Sequence, residues 1–200
     1  MPSEKQQYVE TVGISRNTYK RLYSTQRRIE AIAHTFARVL IGRQCLDKNL
    51  KRREIDNLTQ YITEHLILPI INSPQPWQDE AEYSRWHKEA IEQVIANCPM
   101  TWNDGNCLTI GMAQKIVNLF IKDLWALEIL SMRYESFLHV VLDRIVLKEM
   151  GYRTAWTQID DYQQYKVYQT KFKEHVEKQN IDHGQCLSPI EFENIVWLKK

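Results

Sequence analysis

The sequence predicts an all-α protein, a single compact domain of about eight helices spanning residues 1–200. Three observations carry that prediction. Apolar side chains recur at helical spacing along most of the chain, while the period-two alternation of half-buried strands is nearly absent. Capping and breaking residues stand where those apolar stripes begin and end. A hydrophobic content of 44%, including six Trp and ten Tyr, supplies the apolar surface that a core of this size needs.

Taken in order, Ser3 caps a short first helix to about Thr11, and Gly13 breaks it. Ser15 starts a long second helix whose inner line runs through Tyr19, Leu22, Ile29, Ile32, Phe36 and Leu40. Asp47 or Asn49 opens a third, with Ile55, Leu58, Ile62 and Leu66 inward, and Pro69 ends it. Asn72-Ser-Pro-Gln-Pro76 is a turn. The fourth helix runs from about Asp79 to Asn97, with Tyr83, Trp86, Ala90, Ile91 and Val94 inward, before Pro99. After a loop at Trp102–Asn106, Thr109 opens a fifth helix, and residues 138–150 form a sixth that ends at Gly151. Residues 160–179 give a polar, Tyr-rich seventh. Ser188-Pro-Ile-Glu191 is a capping box with Pro in the first turn, so Phe192, Ile195, Val196 and Leu198 belong to a final helix.

The net charge of +1 hides a division. Residues 1–53 hold 12 Lys/Arg against 4 Asp/Glu, a net of +8, which leaves −7 for the remainder. A basic third of this kind either meets phosphate or docks on the acidic remainder. The first residues lack an apolar signal region, and no run approaches the roughly 18 apolar residues of a membrane span. The expectation is a cytoplasmic protein without membrane contact. Four cysteines in such a chain read as reduced thiols. Cys98, Cys107, His183 and Cys186 can be assembled into a zinc set, but they lack the short knuckle spacing of such sites. No metal and no cofactor is therefore expected.

Three constellations stand out as functional candidates. The turn Gly13-Ile-Ser15 and the residues after it resemble the turn and second helix of a helix-turn-helix, which would aim Arg16, Asn17 and Lys20 at base edges; the plainer reading is a helix N-cap on a basic solvent face. The fifth helix carries Gly111, Gln114, Lys115, Asn118 and Lys122 along one stripe opposite a solidly apolar side. That pattern describes either a solvated face or, with the free N–H groups of a Gly-opened helix, an anion site. In the sixth helix His139 and Asp143 are spaced i, i+4, as are Arg144 and Lys148. Asp143 beside Arg144 reads first as a structural ion pair, and on the functional reading as a positioned carboxylate close to Lys115. Tyr162, Tyr165 and Tyr168 read first as helix packing, with base stacking beside Lys166 and Lys171 as the rarer use.

Gly111-x-Ala113-Gln114-Lys115-x-x-Asn118-Leu119-x-x-Lys122-x-Leu124-Trp125, followed by Leu142-Asp143-Arg144-Ile145-Val146-Leu147, resembles a little-characterised bacterial and phage helical protein family. The pattern spans residues 111–147, and that resemblance implies no activity. The same segment resembles the helix-hairpin-helix DNA glycosylases, with Leu108, Gly111, Ala113 and Lys115 in the hairpin and Leu142-Asp143 in the acid position. Ala113 stands where that family has its second glycine. The resemblance implies a Lys115 amine that attacks the sugar C1′ and an Asp143 carboxylate that assists.

Whether the chain is an enzyme is left open by these residues. The leading expectation is a binding protein for an anionic partner, DNA or RNA, through Gly111, Gln114, Asn118, Lys122, Arg144, Arg16, Asn17 and Lys20. The alternatives are a non-catalytic protein–protein module and a lyase that uses Lys115 and Asp143 as catalytic groups.

Overall fold

The computed structural model describes residues 3–14, 57–58, 60–97 and 108–199, and in these it is all-helical, with seven α-helices and no strand. The all-α expectation is met. The chain divides into two compact units, Met1–Gly13 with Thr109–Lys200, and Ile14–Leu108.

α1 is Glu4–Val12, capped by Ser3 as its sequence predicts and closed by Gly13 at φ 69°, a left-handed position that suits glycine. It belongs to the first unit. In the second unit the helix does not stop at Pro69. A π turn over Thr63–Ile67, in which the Leu68 N–H reaches back to Thr63 O, hands over to α2 at Leu68–Asn72. Pro69 falls in the first turn of α2, where its missing N–H costs no ladder bond. α3, Glu80–Ala96, starts on the Asp79 carboxylate, which accepts the Glu82 N–H at 2.8 Å. Its buried line is Tyr83, His87, Ala90, Ile91 and Val94, with Trp77 packed edge-on against Tyr83.

The first unit is built around α4, Ile110–Ala126, opened by the Thr109 side chain on the Met112 N–H. Fourteen of its 17 residues are buried, which makes it a core helix and not an amphipathic surface one. α5 is Arg144–Glu149, α6 is Tyr162–His183 and α7 is Pro189–Leu198. α4 packs against α1, α6 and a short turn at Trp156–Gln158, while α7 packs against α1, α5 and α6. Gly111 is required by that turn, because a Cβ there would lie 1.8 Å from the Trp156 carbonyl oxygen. The Ser188–Glu191 capping box forms as its sequence predicts.

Two further boundaries differ from the sequence reading. α6 runs four residues further, to His183, and closes on Gly184 at φ 62°. The expected helix over 138–150 forms only from Arg144 onward. Residues 138–142 are irregular and buried throughout: the Leu138 N–H still reaches Tyr134 O, but the Val140 and Leu142 backbone groups are held by side chains and not by a helical ladder.

Candidate functional site

The polar stripe of α4 is not a wet face. Gln114 and Asn118 are fully buried and Lys122 is 2% exposed. Gln114 is bound to the backbone of Leu142 on both sides: its amide donates to Leu142 O at 2.7 Å and its oxygen accepts the Leu142 N–H at 3.2 Å. Gln169 of α6 does the same for Val140, donating to its oxygen at 2.8 Å and accepting its N–H at 3.1 Å. Each glutamine amide thus stands in for the peptide unit of a neighbouring strand. Between them the Asn118 amide donates to Val140 O at 2.7 Å and lies 3.0 Å from the Tyr165 hydroxyl and 2.9 Å from Gln114 Oε1. Tyr165 in turn meets His139 Nδ1 at 2.9 Å. The interior here is a connected network of neutral groups, the kind of burial that is stable only when its members are satisfied.

Further along α4 the buried groups carry charge. Lys122 Nζ lies 2.6 Å from Glu193 Oε2, with the Tyr8 and Trp197 rings 4.7 and 5.3 Å away. The contact is a buried ion pair. Burial pushes the Glu193 carboxyl above its ordinary range, and Lys122 pulls the other way. The Tyr8 hydroxyl donates to Asp123 Oδ1 at 2.7 Å. Glu135 Oε1 takes both Lys5 Nζ at 2.6 Å and the Trp125 Nε1–H at 2.8 Å. These contacts bind α1 to the body of its unit, together with an Asn194 amide that donates to Glu4 O.

The residues expected to form an anion site therefore fare differently. The Gly111 N–H donates to Ile159 O at 2.7 Å, so the start of α4 is filled by the chain's own carbonyl. Gln114, Asn118 and Lys122 point into the core and are committed there. The i, i+4 pairing of His139 with Asp143 does not exist, because no helix joins them; His139 belongs to the neutral network. Arg144 and Lys148 do share a helix, α5, and both are exposed. Arg16, Asn17 and Lys20 lie outside the described residues, as do Cys98 and Cys107 of the zinc set; Cys186 is exposed, and no group of three metal-ligating residues occurs among the described residues.

Lys115 and Asp143 do come together. Asp143 is the N-cap of α5, its Oδ1 accepting the Ile145 and Val146 N–H groups at 2.8 and 3.2 Å. Its Oδ2 faces Lys115 Nζ at 3.5 Å, and the ammonium also lies 4.8 Å from the centre of the Trp156 ring. With 20% of its side chain exposed, Lys115 is the one cation of the stripe that reaches solvent. It stands at the N-cap of α5, the helix that carries Arg144 and Lys148, neither of which has an ion pair among the described residues.

Several members of these networks escape a sequence reading. Gln169, Glu193, Asp123 and Glu135 look like ordinary polar positions. One signal was available for Glu193: it sits three residues after Ile190 and three before Val196, on the buried line of α7. No family model, curated protein or solved structure matches the chain.

Proposed function

We propose that the chain binds an anionic partner, a nucleic acid backbone, through the cationic side of α5 and the basic N-terminal third. The observation that supports this is the grouping of Arg144 and Lys148, exposed one turn apart, with Lys115 beside their N-cap. The contact is smaller than the sequence suggests, since Gly111, Gln114, Asn118 and Lys122 serve the interior. Phosphate contacts of this kind position a duplex or strand without reading its bases. The test is a fluorescence titration of labelled single- and double-stranded DNA and RNA over a salt series. Affinity is expected to fall steeply with salt, and each of Lys115→Ala, Arg144→Ala and Lys148→Ala to lower the slope by about one. No binding to any of these, or binding indifferent to salt and to all three changes, overturns the proposal.

A second reading is favoured by the 3.5 Å separation of Lys115 Nζ and Asp143 Oδ2. A lysine amine that forms a Schiff base with an abasic sugar is trapped by borohydride. A covalent adduct with abasic DNA that vanishes in Lys115→Ala supports that chemistry, and its absence from the unaltered protein removes it.

A further inference from the structure

A cavity of about 320 Å³ opens within the first unit between the ends of α5, α6 and α7. Its size falls at the lower end of small-ligand sites. Phe192, Ile195 and Val196 of α7 give it an apolar floor, and Glu149, His183 and Lys199 stand at its rim. Those three rim residues mark helix ends: Glu149 is the last residue of α5, His183 the last of α6, and Lys199 the C-cap of α7. The negative ends of the two longer helices, α6 and α7, therefore meet at one rim, where they favour a cation beside the Glu149 carboxylate.

Glu149 has a histidine near it. His175 Nε2 lies 3.9 Å from Glu149 Oε1, buried and with no hydrogen bond, behind the Phe192 ring that it packs against edge-on. His183 is oriented by its Nδ1, which lies 2.9 Å from Gln179 O. Lys199 supplies the opposite charge at the same rim, and no ion pair joins it to Glu149 among the described residues.

We infer that this cavity binds a small aliphatic α-amino acid, its ammonium on Glu149, its carboxylate on Lys199 and its side chain on the Phe192–Val196 floor. Charges of opposite sign at one rim, Glu149 with only the His175 ring near it and Lys199 with no ion pair among the described residues, match a zwitterion whose apolar side chain lies on the floor. A purely apolar ligand would leave Lys199 without a partner, and an anion alone would meet Glu149 and two negative helix ends.

The test is calorimetric titration of the intact chain with L-leucine, with isopentylamine, which lacks the carboxylate, and with 4-methylpentanoate, which lacks the ammonium. Leucine is expected to bind more tightly than either analogue. Glu149→Gln and Lys199→Ala should each weaken leucine by about tenfold or more, and Lys199→Ala should leave isopentylamine unchanged. Should either variant fail to fold, intermolecular NOEs from leucine to the Ile195 and Val196 methyls of the unaltered protein test the same placement. No leucine binding, an analogue binding as tightly as leucine, or leucine binding untouched by both substitutions overturns the inference.

Discussion

α4 buries polar groups in two places, and the two are built differently. Towards residues 138–142 they are neutral: Gln114 and Asn118, joined by Gln169, Tyr165 and His139, serve two backbone positions that have no helix or sheet to hold them. Towards α1 and α7 they are ionic: Lys122 with Glu193, Asp123 with Tyr8, and Glu135 with Lys5 and Trp125. The neutral network replaces hydrogen bonds that the backbone would otherwise lose. The ionic one must offset the desolvation of whole charges, so it depends on complete pairs and on pH.

The largest expected effect breaks the ionic side. Lys122→Met leaves Glu193 buried without its ion-pair partner and should cost about 3–5 kcal/mol in urea unfolding. Lys122→Met combined with Glu193→Leu should recover most of that loss, because no charge is then left without its partner. A double variant as unstable as the single one would mean that the pair stabilises the fold beyond compensating for its own burial.

Next comes the neutral side. Asn118→Leu removes the donor to Val140 O and the bond to Gln114 while keeping an apolar side chain in the core. It should cost about 2–3 kcal/mol in urea unfolding. A cost below about 1 kcal/mol would mean that Val140 O does not depend on this amide.

Titration separates the two regions directly. Because burial raises the Glu193 carboxyl above its ordinary 4.5, the unfolded chain releases that proton first as pH rises. The Glu193 contribution to stability is therefore full below that ordinary value and declines as pH rises towards the raised one. Urea midpoints measured over this window should fall with pH in the unaltered protein and fall less in Glu193→Gln. Parallel curves would place the pH dependence elsewhere.

The smallest effect is expected at the surface. Lys115→Ala breaks a partly exposed ion pair and should cost less than about 1 kcal/mol, and less again in high salt. Asp143→Ala should cost more, about 1 kcal/mol or somewhat above, because it also removes the cap of α5. Thermal unfolding of the two variants checks the order.

Much of the fold was legible in the sequence because the signals are local. Ser3, Asp79, Thr109 and Ser188 each cap the helix that their position predicts, and Gly13 ends α1. The stripe on α4 was legible as a pattern but not as a place. Helical spacing puts Gln114, Asn118 and Lys122 on one line, yet whether that line meets water is decided by Gln169, Glu193 and Val140, residues 22 to 71 positions away. The helix expected over 138–150 failed for the same reason: Val140 and Leu142 have good apolar spacing, but glutamines from two other segments satisfy their backbone. Pro69 misled in the opposite sense, since the π turn before it lets the helical path continue.

The most direct test of the claim that the α4 stripe serves the interior is native-state hydrogen exchange at Val140 and Leu142. Neither N–H has a backbone partner in a helix or sheet, so protection must come from Gln169 and Gln114. Both amides are expected to exchange slowly, near the rate set by global unfolding. Gln169→Ala should speed Val140 most, and Gln114→Ala should speed Leu142 most. Fast exchange of both amides in the unaltered protein would contradict the account and return the stripe to the list of surfaces free to bind a ligand.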